Sequence, residues 1–148
     1  MSNSDNLAPD ITGRVRDTCL CLHVQRAARA MARRYDEALK PLGITNWQFS
    51  LMMSLNRPDP PAMGAVATVL GTDRTTLTAS LKPLERRGLV LVSTDRKDRR
   101  SRRLQLTPAG QALLAAALPL WERAQAATEE LVPASDIDRL RADLRALS

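Results

Sequence analysis

Residues 71–106 restrict the possible folds of this chain more than any other segment, because two kinds of periodicity meet there. Before Gly88, the leucines Leu77, Leu81 and Leu84 recur at the three-and-four spacing of one helical face. After Gly88, apolar stretches at 89–92 and 103–106 enclose the charged tip residues 94–102, a pattern typical of a β-hairpin. The segment therefore predicts a helix that ends at a glycine and continues directly into a hairpin.

A second short helix is predicted just before this one. Apolar residues at about 63–70 are followed by the turn Gly71-Thr72-Asp73, after which the next helix covers about 74–87. Two short helices joined by a tight turn form a helix-turn-helix, and the hairpin adds the wing of a winged helix. Pro83 lacks a backbone donor and is expected to bend the second helix near its last turn.

Further helices are predicted on both sides of this lobe. After a loose tail of about ten residues, a long helix should cover about 13–42, and a shorter one capped by Thr45 or Asn46 should end before the prolines at 58–61. Thr107-Pro108 predicts another helix start, with a kink at Pro119. Ser135 and Asp138 resemble a capping box and predict a last helix, with Ile137, Leu140, Leu144 and Leu147 facing inward.

The predicted architecture is mainly α-helical with a small β-hairpin wing. At 148 residues the chain has the usual size of one domain, which we expect to span 1–148. A winged helix-turn-helix lobe at about 45–107 would lie between dimerisation helices at about 13–42 and 108–147. These flanking helices have more apolar surface than one small lobe can cover, so a second copy of the chain is expected to cover it. The apolar side chains concerned are Leu20, Leu22, Leu113, Leu120, Leu131, Ile137, Leu140 and Leu144.

The net charge of the chain is concentrated in one segment. Residues 73–103 contain ten basic and four acidic side chains and so account for all of the +6 charge, while the rest of the chain is balanced. A basic patch of this density attracts polyanions. The hairpin tip contributes most of it, and phosphates would supply the missing counter-charge. Its basic residues are Arg96, Lys97, Arg99, Arg100, Arg102 and Arg103.

The helix before the hairpin has the composition of a helix that reads DNA. Its leucines lie on one face, and Thr75, Thr76, Ala79 and Ser80 lie on the other. A helix fits the major groove, where short polar side chains and Arg74 near its N-terminus can reach base edges and phosphates. An arginine at the hairpin tip can enter a narrow minor groove, and Asp98 could hold the Arg100 guanidinium through a bidentate pair.

Other classes of function have no support in the sequence. His23 is the single histidine and has no acid or nucleophile at a recognisable spacing, so we expect no enzyme and no cofactor. Cys19 and Cys21 are too few for a zinc site, and as i, i+2 neighbours on a helix they are not expected to form a disulfide. The sequence contains no long apolar stretch and no secretion signal, so no membrane contact and a cytoplasmic location are expected.

Two phrases of the sequence resemble the MarR family of winged-helix regulators: DRTTLTASLKPLERRGLV at 73–90 and DRRSRRLQLTPAG at 98–110. The resemblance implies a homodimer that binds a pseudo-palindromic double-stranded DNA operator and represses a promoter. It places Asp98 and Arg100 in the minor groove. It places a larger set in the major groove, namely Thr75, Thr76, Thr78, Ala79, Ser80 and Lys82.

The resemblance also implies that a signal releases the DNA. Family members respond to small, often aromatic, ligands or to oxidants that act on cysteine. Cys21 and Tyr35 are similar to the thiol and a supporting tyrosine of peroxide-sensing members, although Gln25 stands where those proteins have a second tyrosine. A free cysteine is more often a small buried apolar residue. For the ligand route the candidate pocket residues are Arg16, His23, Trp47 and Met52.

One alternative remains open at this stage. A basic winged helix could be an architectural or non-specific nucleic-acid-binding protein without an effector or a defined operator. Such a protein would bind scrambled DNA as tightly as its own upstream region, with a steep dependence on salt.

Overall fold

Proline, glycine and short polar residues delimit most elements of the computed structural model, which describes residues 6–148. These residues form two compact units that divide between Arg34 and Tyr35, within the second helix.

The first unit contains α1 (Pro9–Thr18) and most of α2 (Leu20–Leu39). A single helix at 13–42 was the prediction, and it is wrong in two respects. The helix begins earlier because Pro9 occupies its first position, where the missing N–H costs nothing. It is also interrupted at Cys19, whose backbone is extended with φ −71° and ψ 108°. Cys19 and Cys21 therefore do not lie on one continuous helix. The argument against a disulfide assumed that they did, so that argument does not apply.

The second unit contains the end of α2 and the predicted winged helix. A 3₁₀ turn (Lys40–Leu42) precedes α3 (Asn46–Ser54), α4 (Met63–Leu70) and α5 (Arg74–Arg86). The hairpin strands β1 (Val90–Thr94) and β2 (Arg102–Leu106) follow, and then α6 (Pro108–Glu129) and α7 (Ile137–Ala146). The predicted order of elements from α3 to α7 is confirmed.

The helix starts follow the capping rules, with one correction. Thr45 and Gln48 form a capping box at α3, and the Thr107 hydroxyl accepts from the Gly110 N–H at α6. The residue that caps α7 is Asp136, which accepts from the Arg139 N–H, so the prediction of Ser135 was wrong by one position. The carboxylate of Asp136 is also the better acceptor for a helix N-terminus, because it carries negative charge.

A core of leucines positions α5 and the wing. Leu77, Leu81 and Leu84 are fully buried or nearly so, as the predicted spacing requires. They belong to a cluster that includes side chains of α3, α4, both strands and α6. Strand β2 also contacts the proline-rich loop, because the Leu104 N–H donates to the Pro61 carbonyl at 3.0 Å. The wing is thus held both by the buried cluster and by the proline-rich loop.

The junction between wing and α6 is unusually close. A Cβ atom placed on Gly110 would lie 2.1 Å from the Leu89 carbonyl oxygen. The same oxygen accepts from the Thr107 N–H at 3.1 Å. Only glycine permits this approach, which connects the start of α6 to the base of β1.

Several apolar side chains of the terminal helices are exposed in the single chain. In the first unit they include Val15, Leu20 and Val24. In the second they include Leu118, Leu131, Leu140, Leu144 and Leu147. No side chain of α7 is buried, so the predicted inward face of that helix has no cover within its own chain.

Candidate nucleic-acid interface

A cleft of about 590 Å³ lies between the exposed face of α5 and the wing. From α5 it is lined by five of the predicted DNA-binding residues: Arg74, Thr75, Thr78, Ala79 and Lys82. From the wing it is lined by Arg100 and Arg102. The fold thus brings residues more than 20 positions apart in the sequence to one surface, where four cations face a single acid, Glu85.

The remaining predicted residues lie outside this cleft. Thr76 is exposed at the start of α5, and Ser80 is half-buried on the side that contacts α3. Arg96, Asp98 and Arg99 are exposed at the hairpin tip. The hairpin tip therefore adds a second positively charged region beside the cleft.

The hydroxyl groups of α5 use their hydrogens within the protein. Thr76 donates to the Asp73 carboxylate at 2.8 Å, and Thr78 donates to the Arg74 carbonyl at 2.7 Å. Ser80 donates to the Thr76 carbonyl at 2.8 Å and accepts from Nε1 of Trp47 at 2.9 Å. These hydroxyls are left with acceptor capacity toward a ligand.

Asp73 holds the N-terminus of α5. Its carboxylate accepts from the Thr76 N–H at 2.7 Å as well as from the Thr76 hydroxyl. These two hydrogen bonds, the backbone one foremost, lower the pKa of Asp73 below its ordinary value. The folded helix therefore favours the ionised carboxylate, which suits the positive end of the helix dipole.

At the wing tip, one predicted interaction is replaced by another. Asp98 was expected to pair with the Arg100 guanidinium, but its carboxylate accepts from the Arg100 backbone N–H at 3.0 Å. The described residues form no ion pair with Arg100, so its exposed guanidinium is free for a ligand. Asp98 shapes the turn, as Asp commonly does by bonding to the backbone two residues on.

The carboxylate that pairs with an arginine is Asp95. Its Oδ2 lies 2.8 Å from Nη2 of Arg103, and Nη1 of Arg103 donates to the Pro60 carbonyl at 3.3 Å. The backbone N–H of Lys97, and then Arg103, lower the pKa of Asp95. Sequence reasoning missed this pair because charge counting treats all ten cations of the segment alike.

Two more cations of the segment have internal partners. Nη1 of Arg87 donates to the Gly43 carbonyl at 2.8 Å, at the turn that ends α2 and its 3₁₀ extension. Nη1 of Arg102 donates to the Thr94 hydroxyl at 3.2 Å across the hairpin. The cations thus divide into those that stabilise the lobe and those that remain free.

The four candidate ligand-pocket residues fall in different units. In the first unit, Arg16 pairs with Asp17 at 2.6 Å, and Nδ1 of His23 donates to the Cys19 carbonyl at 2.8 Å. In the second, Trp47 is half-buried and bound to Ser80, whereas Met52 is fully buried in the core. Met52 therefore has no surface to offer a ligand in this conformation, and its assignment to a pocket is corrected to a core position.

The two candidate redox residues also have partners. Cys21 is exposed rather than buried, and its Sγ accepts from the Gln25 amide at 3.4 Å. The Tyr35 hydroxyl donates to the Gln125 side chain at 2.6 Å, which connects the end of α2 to α6. The hydroxyl hydrogen of Tyr35 is thus already used.

Neither a metal site nor a membrane span emerges from the described part of the chain. Within residues 6–148, His, Cys, Asp and Glu side chains form no group of three or more that could hold a metal ion. None of the helices in this range is long and apolar enough to cross a membrane.

Comparison with known proteins identifies this architecture. The model of the MarR family matches residues 44–101, the interval from the start of α3 to the tip of the wing. A crystal structure of the Mycobacterium tuberculosis transcriptional regulator MosR in complex with DNA is 38% identical, with a TM-score of 0.76, and the match covers 87% of this chain and 92% of that one. The chain belongs to the MarR family.

MarR-family proteins are DNA-binding transcriptional regulators, and the family is not one of enzymes. A second MarR-type structure, the transcriptional repressor CouR bound to a 23-mer DNA duplex, is 30% identical with a TM-score of 0.80. The match covers 90% of this chain and 94% of the CouR chain. The family and the winged-helix fold that the sequence phrases implied are therefore confirmed.

A curated MarR-type relative has a name that states a regulatory role. The transcriptional activatory protein BadR of Rhodopseudomonas palustris is 30% identical over 95 residues, which are 62% of this chain. The match spans about half of the length of BadR, 54%. BadR is named as an activator and CouR as a repressor, so both directions of control occur among these relatives.

Proposed function

We propose that this MarR-family protein is a homodimeric regulator that binds a pseudo-palindromic double-stranded DNA operator and represses the adjacent promoter. The observation that carries the proposal is the cleft between α5 and the wing, where an exposed polar helix face and two wing arginines meet. Helix α5 would enter the major groove, and the wing would follow the phosphate backbone to the minor groove.

The two parts of this surface would have different roles. Arg74, Lys82, Arg100 and Arg102 surround the cleft and supply charge for phosphates, together with Arg96 and Arg99 at the tip. Thr75, Thr76, Thr78, Ala79 and Ser80 form the helix face that would discriminate between bases. Asp98 would act indirectly, through the turn that presents Arg100.

The homodimer is supported by the exposed apolar side chains of the terminal helices. Leu20 at the start of α2 and Leu131 just after α6 are 70% and 56% exposed among residues 6–148. A second copy would bury them and set the distance between two DNA-reading lobes, as a single domain of 1–148 with dimerisation helices implies. Sedimentation at micromolar concentration should give a dimer, and a monomer would contradict this part of the proposal.

We also propose that the protein has no catalytic activity and acts in the cytoplasm, where its DNA is. This proposal is supported by family membership and by the lack, in the sequence, of an acid or nucleophile at a recognisable catalytic spacing from His23.

A signal would release the DNA by one of two routes. In the ligand route, a small aromatic molecule would contact Arg16, His23 or Trp47. In the redox route, an oxidant would act on the exposed thiol of Cys21, near the start of α2. Tyr35 would be its supporting residue, although it lies near the other end of that helix. If peroxide lowers operator affinity of the wild type but not of Cys21→Ser, the redox route holds, and equal responses of the two proteins would exclude it.

Mobility shifts on the DNA upstream of the protein's own gene test the main proposal. The wild type should bind this DNA at least about a thousandfold more tightly than a scrambled duplex at the same salt concentration, which is the lower end of the usual range for specific binding. Measurements at two salt concentrations separate the phosphate contribution from base recognition. Equal affinity for both duplexes would instead identify an architectural DNA-binding protein.

Within that assay, the roles of helix and wing can be separated. Arg100→Ala should weaken binding on every sequence, most where the minor groove is narrow. Substitution of Thr76 should change sequence preference more than affinity for bulk DNA. If both changes behave alike, the proposed division of roles is wrong.

A further inference from the structure

The indole of Trp47 and the hydroxyl of Ser80 are directly connected. Nε1 of Trp47 donates to Oγ of Ser80 at 2.9 Å, and the same Oγ donates its hydrogen to the Thr76 carbonyl at 2.8 Å. Trp47 lies in α3 and Ser80 in the DNA-reading helix α5, 33 positions later. A side chain that is remote in sequence thus holds a residue of the reading face.

The position of Trp47 is itself fixed by its neighbours. The backbone N–H and the side-chain amide of Asn46 both donate to Oδ1 of Asp36 at 2.7 Å. The capping box of Thr45 and Gln48 fixes the same turn. The indole is therefore attached to a rigid helix end, so little conformational entropy is lost when it forms its hydrogen bond with Ser80.

With these two hydrogen bonds made, the Ser80 hydroxyl can accept a further hydrogen bond but cannot donate one. A hydroxyl has one hydrogen to donate and two lone pairs to accept with. The hydrogen is used by the Thr76 carbonyl and one lone pair by Trp47, so one lone pair remains. In the major groove, the groups that can donate to it are the amino groups of adenine and cytosine, whereas guanine and thymine present acceptors at the corresponding edge.

We infer that Trp47 is a positioning residue for operator specificity, which holds Ser80 as an acceptor for the amino group of adenine or cytosine and so distinguishes the two orientations of a base pair. This inference rests on the proposed function, since it assumes that α5 reads the major groove. Trp47 needs no contact with DNA for this role. Its effect passes through the oxygen of Ser80.

The test uses the full-length protein and an operator fragment in which every base pair of one half-site is replaced in turn. Wild-type binding to the set is compared with that of Ser80→Ala, which identifies the position that depends on Ser80. At that position the wild type should prefer one orientation of a base pair, A·T over T·A or C·G over G·C, about threefold to tenfold, the range for one hydrogen bond. Trp47→Phe keeps an aromatic ring but removes the N–H, and it should reduce this ratio toward one.

Trp121→Phe is the matched control. Trp121 stacks on Phe49 with ring centres 6.1 Å apart, and it has no hydrogen bond to Ser80. This variant should keep the wild-type ratio. The double variant Trp47→Phe/Ser80→Ala should lose no more discrimination than either single variant, because both remove the same interaction.

A second readout does not depend on DNA. The protein has two tryptophans, so the indole N–H region of an ¹⁵N NMR spectrum should contain two signals. Ser80→Ala should shift the signal of Trp47 and leave that of Trp121 in place, while Ser80→Thr, which keeps a hydroxyl, should restore both the signal and the base preference.

Three results would overturn the inference. They are equal affinity for the two orientations of the base pair at the Ser80-dependent position, an equal loss of affinity for all sequences in Trp47→Phe, or no shift of the Trp47 signal in Ser80→Ala. If the proposed function itself is wrong, the result is a different one: the wild type will bind scrambled DNA as tightly as it binds the operator.

Discussion

Asp95 and Arg103 form an ion pair across the base of the wing tip, with 2.8 Å between Oδ2 and Nη2. The side chain of Asp95 is only 12% exposed, and Arg103 also donates to the Pro60 carbonyl. Arg103 thus joins the hairpin to the proline-rich loop. Like Arg87, it is a cation of this segment that stabilises the lobe, in contrast to Arg100.

The first prediction separates Arg103 from Arg100. Arg103→Ala should lower the melting temperature, because it leaves the Asp95 carboxylate without its guanidinium partner, and it should leave the salt dependence of DNA binding unchanged below that temperature. Arg100→Ala should keep the melting temperature and reduce the slope of log affinity against log salt by about one. Thermal melts and binding titrations at several salt concentrations measure both. An unchanged melting temperature in Arg103→Ala, together with a smaller salt slope, would make Arg103 a DNA contact.

The second prediction concerns the acid side of stability. The pKa of Asp73 is lowered by the Thr76 N–H and hydroxyl, so its ionised form stabilises the fold above the ordinary carboxyl pKa of about 4. That stabilisation is lost as the pH falls through the lower pKa of the folded state. Asp73→Asn and Asp73→Ser keep a capping side chain that cannot titrate. The melting temperature of the wild type relative to either variant should be constant above about pH 5 and fall below it.

Melts between pH 7 and pH 3 check this prediction. Because both neutral caps should give the same pH profile, they control for differences in capping strength. A constant difference between the wild type and both variants at every pH would show that Asp73 does not contribute to acid sensitivity.

The third prediction concerns the junction of wing and α6. Gly110→Ala places a Cβ atom against the Leu89 carbonyl, so the backbone must shift. We expect a loss of about 1–3 kcal/mol in the free energy of unfolding. Gly64→Ala is the control, since no atom lies within 4 Å of its Cβ position in α4, and alanine there should leave stability unchanged or raise it by up to about 1 kcal/mol. Denaturant titrations compare the two, and equal effects would contradict the close contact at Gly110.

The fourth prediction concerns the link between α5 and the end of α2. Arg87→Ala removes the guanidinium that donates to the Gly43 carbonyl and should cost about 1 kcal/mol of stability. Arg86→Ala removes an equally exposed arginine that makes no side-chain hydrogen bond within residues 6–148, and its effect should stay within about 0.5 kcal/mol. Chemical denaturation measures the difference. If Arg86→Ala is as costly as Arg87→Ala, the contact with Gly43 contributes nothing.

Much of the fold could be predicted because its signals are local. The leucine spacing of α5, the glycine at 88 and the Thr107-Pro108 start depend on neighbours within one or two helical turns, and the structure confirms all three. The break at Cys19 was missed because apolar spacing continues across it. The cap of α7 was missed by one position because Ser135 and Asp136 are both good capping residues.

The candidate site was only partly predictable. The residues of α5 and of the wing could be listed in advance, since the spacing of polar and apolar residues along the sequence separates polar from apolar faces. Their partners could not, because Asp98 and Asp95 are both acids beside arginines. Only the hairpin register, which pairs Arg103 with Ser93, brings the Asp95 side chain two positions further on within reach of Arg103. The same limit applies to Met52, which looked like a pocket residue and is part of the core.

By itself, the sequence determined the order of helices and strands, the concentration of charge at 73–103 and the family to which the chain belongs. Only the tertiary structure decided which polar groups meet: Asp95 with Arg103, Arg87 with Gly43, and Trp47 with Ser80. The physical reason is that helix and hairpin signals act over a few residues along the chain. Hydrogen bonds and ion pairs depend instead on distances of about 3 Å between atoms that folding brings together.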